Sequence, residues 1–140
     1  MANAKYNSFK ADILKGNIDL VNDTIRVMLV TSTYVPNIDT HTFKDDVTNE
    51  VTGTAYVAGG EALGTKTVTQ DDTNDKAVFD AADTQWAAST ITARGAVIYK
   101  DTTVAATSPL ICYIDFVTDK TSTAGNFDIA WDAAGILDIT

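Results

Sequence analysis

The strongest constraint on the fold is a two-residue alternation of apolar side chains within residues 91–117. Two runs carry it, ITARGAVIYK at 91–100 and LICYIDFV at 110–117, and both are rich in Val, Ile and Tyr. Such runs, separated by a loop of Thr, Ala and Ser, are typical of a long β-hairpin. Because both faces of the second run are largely apolar, we expect this hairpin to lie centrally and to be covered on both sides.

Shorter strand patterns fill the rest of the 140-residue chain. A cap at Asn7 or Ser8 and a stop at Gly16 predict a short helix over residues 9–15, with Ile13 and Leu14 facing inward. Alternation between turn residues predicts further strands at 25–32, 51–57, 61–69, 76–80, 85–88, 126–131 and 136–139. The last two are expected to pair as a hairpin, and the polar residues 118–125 are expected to form a loop.

The element pattern predicts one all-β domain over residues 1–140. Its expected architecture is an antiparallel β-sandwich or barrel of about eight strands with a short N-terminal helix. Trp86 and Trp131 flank apolar alternations, and core positions are favoured for them over a carbohydrate platform. Eight further residues are predicted to be buried: Val27, Leu29, Val97, Tyr99, Cys112, Ile114, Phe127 and Ile129.

Charge and cysteine content narrow the class of partner. The formal net charge of −9 repels phosphates, so no nucleic-acid partner is expected. The single cysteine, Cys112, allows no disulfide within the chain. No apolar run is long enough to span a bilayer or to act as an export signal, so no membrane partner is expected and folding is predicted to take place in a cytoplasm.

The sequence carries no recognisable catalytic, cofactor or metal motif. His41 is the only histidine, which excludes sites that need several. The acidic run DDTND at 71–75 breaks the calcium-loop pattern, because Lys76 or Ala82 occupies a required ligand position. We therefore expect no enzyme and no cofactor, with a hairpin turn at 71–75 and a weak cation site there as the open alternative.

Candidate partner-binding residues lie in two irregular segments. Residues 1–6, which include Tyr6, are small and polar and are expected to form a flexible or partner-bound arm. Residues 33–50 lack a core pattern but carry Tyr34 and Phe43, which are hypothesised to be docking anchors, with tucking under the domain as the equal alternative. Arg94 is a lone cation on the more polar face of the central strand, where it needs a carboxylate or an interface.

Five stretches of the chain resemble small structural proteins encoded by tailed bacteriophages. They are YNSFKADILKGNIDL at 6–20, DTIRVMLVTSTYVPNIDTH at 23–41, DDVTNEVTGTAYVAGG at 45–60, ITARGAVIYKD at 91–101 and FDIAWDAAGILDIT at 127–140. The resemblance spans nearly the whole chain, and none of these motifs is a catalytic signature. It implies a virion component made in the host cytoplasm, either a head decoration protein or a tail, adaptor or fibre-associated protein.

A decoration or cement protein would act by binding alone, cross-bridging capsid subunits so that their separation costs more free energy. Many copies on a symmetric shell would favour a homo-oligomer. The alternative from another class is a host-sugar-binding module, which would need Trp86 or Trp131 to be exposed.

Overall fold

The protein is described over residues 2–140 by a computed structural model, and Met1 lies outside the described residues. Over residues 2–140, its regular elements are one α-helix, two 3-10 turns and eight strands. The helix α1 is Asn7–Lys15 and the 3-10 turns are Lys44–Asp46 and Ala105–Thr107. The strands are β1 Ala2–Lys5, β2 Ile25–Val30, β3 Glu61–Ala62, β4 Thr67–Asp71, β5 Lys76–Asp80, β6 Thr84–Lys100, β7 Leu110–Ile129 and β8 Leu137–Ile139.

The strands form two antiparallel sheets that are not closed into a barrel. The larger sheet has the order β1-β7-β6-β2-β3, and the smaller has the order β4-β5-β8. This confirms the predicted all-β class, the strand number and the short N-terminal helix, and it decides for two sheets over a barrel.

The paired strands β6 and β7, here called the ribbon, form the centre of the larger sheet. Their register runs from Thr84 opposite Ile129 to Tyr99 opposite Leu110. The predicted central hairpin is therefore confirmed. Gly95 is required where the two strands approach closely, since a Cβ there would lie 2.7 Å from the carbonyl oxygen of Ile114.

The ribbon is longer than predicted, because residues 118–125 belong to β7 and do not form a loop. Irregularities in register interrupt the alternation that the sequence would otherwise show. Three non-glycine residues at these irregularities, Ala88, Val117 and Ala124, have φ values of 50°, 72° and 46°. The strand patterns at 85–88, 91–100 and 110–117, and the part of 126–131 up to Ile129, thus belong to two continuous strands.

Two other strand predictions are wrong, and a third, at 61–69, is divided between β3 in the larger sheet and β4 in the smaller one. Strand β8 pairs with β5, with Phe79 opposite Leu137, so residues 126–139 do not form a hairpin. Residues 51–57 form no strand and contribute one isolated bridge, between Thr54 and Thr90. The turn before β8 explains the first difference, because Gly135 has a φ of 98° and its chain packs against Phe79.

Residues 2–5 form the edge strand β1, which corrects the expectation of a flexible arm. They pair with β7, from Ala2 opposite Asp115 to Lys5 opposite Cys112. The side chains of Asn3 and Lys5 also donate hydrogen bonds to the carbonyl oxygens of Ile136, just before β8, and Asp138, within β8 of the other sheet. Strand β1 therefore joins the two sheets along one side, which a free arm could not do.

The two sheets enclose one apolar core. All eight residues that were predicted to be buried are in it, and Trp86 and Trp131 are buried as well. The predicted facing of α1 is half right, because Phe9 and Ile13 pack inward whereas Leu14 is 87% exposed. Phe9 and Ile13 are four residues apart on one helix face, and Leu14 lies outside that face.

Asp138 gives the junction of the sheets a pH dependence. Its carboxylate lies 3.1 Å from Lys76 Nζ and 3.7 Å from Lys5 Nζ. The hydrogen bond from Lys76, with the charges of both lysines, lowers the pKa of Asp138 below its usual value near 4. A carboxyl group whose folded pKa is lowered stabilises the fold above its unfolded pKa and loses that contribution as the pH falls through its folded pKa.

We expect Asp138→Asn to lower the free energy of unfolding at pH 7 by less than about 1 kcal/mol, because the pair is partly solvated. The difference from wild type should shrink as the pH falls below about 4. Thermal melts from pH 3 to pH 7 measure it. Asp45→Asn is the control, since Asp45 has no hydrogen bond or ion pair within residues 2–140; a pH-independent loss in Asp138→Asn would contradict the argument.

Candidate docking surface

A groove at one end of the molecule separates α1 from the segment that contains Phe43. It has a volume of about 410 Å³, and its lining includes Ala11 and Lys15 from α1, Phe43, Thr107 and Pro109. We call it the Phe43 groove. Ala11 and Phe43 are both exposed, and the Phe43 side chain is 37% accessible.

Local hydrogen bonds hold Phe43 in place. The Asp46 carboxylate accepts the backbone N–H groups of Thr42 and Phe43, at 2.8 and 3.0 Å. These bonds lower the pKa of Asp46, so the carboxylate is charged at neutral pH. Phe43 also forms an antiparallel bridge with Pro109, and Lys44 N–H donates to Ser108 O at 2.9 Å. The ring is thus presented by a fixed turn.

Beneath this turn lies a chain of three hydrogen-bonding side chains. The hydroxyl groups of Tyr6 and Tyr34 are 2.8 Å apart, and the Tyr34 hydroxyl lies 2.9 Å from His41 Nδ1. Burial, as the largest cause, raises the pKa of both tyrosines, so both are neutral at ordinary pH. The arrangement locks the 33–43 segment onto the core.

Tyr6 and Tyr34 are therefore core residues, which corrects the hypothesis that they contact a partner. Their exposed fractions are 0% and 4%. Tyr34 also packs edge-on against Tyr113 and stacks on His41. The equal alternative of the sequence analysis, tucking under the domain, holds for Tyr34, whereas Phe43 remains at the surface.

Helix α1 and the 33–43 segment are directly joined. Asn7 N–H donates to Ile38 O at 2.9 Å, and Asn7 Nδ2 donates to Asp39 Oδ1 at 2.7 Å. The structure thus brings together Phe43 and the helix that follows Tyr6. Arg94 does not line the Phe43 groove, because it lies in the ribbon with its Nε 3.2 Å from Asp115 Oδ1. Of the two roles that the sequence allowed for Arg94, pairing with a carboxylate and contact at an interface, the structure thus shows the first.

Sequence reasoning missed a second groove, on the other side of α1. It lies between α1 and β8, has a volume of about 250 Å³, and is lined by Phe9, Ile13, Leu14 and Ile139 with Lys5 and Lys10. We call it the Leu14 groove. The position of Leu14 on the helix could have indicated this groove. Leu14 lies four residues after Lys10 and outside the face formed by Phe9 and Ile13, so it is an apolar residue on the exposed side of α1.

The titratable groups that suggest chemistry are mostly engaged within the fold. Cys112 is buried, and desolvation raises the pKa of its thiol to about 12, so the nucleophilic thiolate is scarce at neutral pH. The Asp71 carboxylate accepts the backbone N–H groups of Thr73 and Asn74 in the β4–β5 turn. Within residues 2–140, no three His, Cys, Asp or Glu side chains are grouped as metal ligands.

Comparison of the chain with protein-family models, with curated proteins and with solved structures found no match. Over residues 2–140, none of the helical segments is both long and apolar enough to cross a membrane. Each of the two grooves beside α1 presents an exposed apolar side chain, Phe43 or Leu14, to a partner.

Proposed function

We propose that this chain is a non-enzymatic structural subunit of a tailed-bacteriophage particle, a decoration protein that docks on the capsid through the Phe43 groove. The observation that carries the proposal is the partly exposed Phe43 ring at the edge of a groove, on a turn whose backbone N–H groups donate to the Asp46 carboxylate. The resemblance of residues 6–20, 23–41 and 45–60 to phage structural proteins supports the virion assignment, and residues 6–20 include the α1 wall of the groove.

The physical case rests on a preorganised apolar contact. Completing the burial of an aromatic side chain contributes about 25 cal/mol for each Å² removed from water. Binding is weakened when flexible side chains must be ordered, and Phe43 avoids much of that cost because its turn is already fixed. Aromatic residues of this kind commonly dominate the binding energy of an interface.

The buried tryptophans disfavour the sugar-binding alternative. Trp86 and Trp131 are both in the core, so neither ring presents a face on which a sugar could stack. A groove of mixed polar and apolar lining, with an exposed aromatic side chain at its edge, fits a protein partner better. Repeated copies of such a subunit on a capsid would cross-bridge neighbouring capsid subunits and raise the free energy needed to separate them.

We expect Phe43→Ala to reduce binding to particles by about tenfold or more, the effect of losing an interface anchor. The assay incubates purified protein with phage particles whose gene for this subunit has been deleted, then measures the bound fraction after sedimentation. Ala11→Arg, which fills the Phe43 groove from α1, should have a similar effect. Thermal melts should remain near wild type for both variants, because both positions are exposed.

Val68→Ala is the matched control, since Val68 is an exposed apolar residue on β4, outside both grooves. It should bind like wild type. Wild-type binding by both groove variants would place the docking surface elsewhere. Failure of wild-type protein itself to bind the particles would reject the decoration role.

A further inference from the structure

The outer side of α1 combines an exposed leucine with two lysines. Leu14 is the most exposed of the large apolar side chains described, and Lys10 and Lys15 are exposed beside it. Lys10 lies one helical turn before Leu14, and Lys15 follows it directly. Leu14 is exposed although the rest of the domain is well packed, so covering it with a partner would bury apolar surface and lower the free energy.

The Leu14 groove beside this helix has room for one apolar side chain. Phe9 and Ile13 supply its buried side, and Leu14 and Ile139 form its partly exposed walls. Lys5, Lys10 and Thr140 complete the lining, and Lys5 is already paired with Asp138. An apolar floor with a cationic rim fixes the chemistry of what it can hold.

The two lysines on α1 have no acidic partner within residues 2–140. Lys10 Nζ donates only to Asn7 Oδ1, at 3.0 Å. By contrast, five other cations of the chain form ion pairs: Lys5, Arg26, Lys76, Arg94 and Lys100. The one acid on α1, Asp12, accepts a hydrogen bond from Asn17 and lines the Phe43 groove instead. The outer side of α1 is therefore locally cationic on a chain of net charge −9.

We infer that the Leu14 groove binds an acidic polypeptide segment of a partner protein. One apolar side chain of that segment inserts between Leu14 and Ile139, and its carboxylates lie against Lys10 and Lys5 at the rim of the groove. Charge complementarity selects an acidic partner, and the apolar groove selects one with an apolar residue among its acids. This inference does not depend on the phage assignment, because it concerns a different groove.

An anionic lipid surface is the competing occupant, and the charge of the chain argues against it. Two lysines contribute only modest attraction to such a surface, and the net charge of −9 opposes approach of the whole domain. A polypeptide segment meets the lysines locally without bringing a large anionic plane against the rest of the protein.

The test selects random-sequence displayed peptides on the immobilised full-length protein. Enriched peptides are expected to combine Asp or Glu with a Leu, Ile or Phe, and synthetic copies are then titrated calorimetrically. Lys10→Glu should weaken their binding about tenfold, and Leu14→Asp should weaken it at least as much. Lys120→Glu is the matched control, because it makes the same charge change at an exposed lysine of β7, outside the Leu14 groove. It should leave the affinity nearly unchanged.

Four outcomes would overturn the inference. The first is enrichment of basic or uncharged peptides, and the second is an equal loss of affinity in Lys10→Glu and Lys120→Glu. The third is cosedimentation with phosphatidylserine vesicles that Leu14→Asp abolishes, which would assign the groove to a lipid surface. The fourth is a dimer, seen by analytical ultracentrifugation, that Lys10→Glu dissociates, which would assign it to a second copy of the chain. Failure of capsid binding by the Phe43 variants leaves these readouts unchanged.

Discussion

Replacing Gly60 with alanine is expected to lower the free energy of unfolding by about 2 to 5 kcal/mol. Gly60 has a φ of 73°, which strains any residue with a Cβ, and a Cβ there would lie within 2 Å of the carbonyl oxygen of Val27. That neighbour is backbone of β2, which cannot move without disturbing the sheet. Backbone strain accounts for about 1 to 2 kcal/mol and overpacking for about 1 to 3 kcal/mol.

Gly64→Ala is the control for Gly60→Ala. No heavy atom lies within 4 Å of a Cβ at Gly64, and its φ is not in the left-handed region. Its effect on unfolding should stay within about 0.5 kcal/mol. Chemical denaturation of both variants makes the comparison, and similar midpoints for the two would show that the turn at Gly60 relaxes freely.

Trp86→Ala is expected to cost about 3 to 5 kcal/mol, by leaving a large cavity in the core. The Trp86 side chain is 2% exposed and packs edge-on against Phe127, with ring centroids 5.9 Å apart. Tyr56 lies on it at the same centroid distance. Loss of this side chain therefore removes contacts to both the ribbon and the segment before β3. Denaturant unfolding followed by far-ultraviolet circular dichroism measures the loss.

Phenylalanine in place of tryptophan separates packing from hydrogen bonding. Trp86 Nε1 is buried without a hydrogen-bond partner in the described chain, whereas Trp131 Nε1 donates to Ala82 O at 3.0 Å. Trp131→Phe removes that bond and leaves Ala82 O to find another partner, and Trp86→Phe removes a group whose burial is already unfavourable. At each position, the loss in free energy of unfolding for the Phe variant can be divided by the loss for the Ala variant. We expect this ratio to be smaller at Trp86 than at Trp131. The reverse order would mean that the Trp86 indole N–H has an unrecognised partner.

The parts of the fold predicted correctly are those in which alternation and burial agree. Residues 95–99 and 110–114 are buried in the middle of the larger sheet, so their apolar residues showed the strands directly. Residues 118–125 were wrongly predicted to form a loop because they are polar and largely exposed. A strand whose side chains face solvent has the same composition as a loop. The positive φ of Ala124 shifts the alternation there, and a bulge of that kind leaves no reliable sequence signal.

Alternation of apolar residues also could not predict which distant strands pair with each other. A strand pattern at β8 is compatible with β7 or with β5 as its neighbour, and the choice depends on the turn at Gly135. The same holds for β1, whose polar residues look like a free arm until their backbone is placed beside residues 112–115 of β7. Residue type predicts that a strand forms more readily than it predicts the partner of that strand.

For the candidate surface, the sequence predicted which segments of the chain meet better than it predicted which of their aromatic residues are exposed. Residues 33–50 and the N-terminal region do meet, through Asn7 and Ile38, and Phe43 is exposed there. Tyr34 carries the same aromatic signal as Phe43 but is buried, because its hydroxyl finds Tyr6 and His41 inside the domain. A hydroxyl that can be satisfied internally allows a tyrosine to be buried, and the sequence does not show where its partner will be.

Because β1 pairs at the edge of the sheet with a strand made much later, it can take its place only after that strand has been synthesised. Asn3 and Ile136 are 133 positions apart, and the partner of β1 in its own sheet, β7, is made long after β1 itself. The ribbon can close early because one short loop joins its strands, whereas Tyr6 N–H reaches Ile111 O only once β7 exists. Helix α1 follows Tyr6 directly, so both grooves beside it take shape only after the ribbon has formed. A nascent chain therefore cannot engage a partner through these grooves before the centre of the domain has folded.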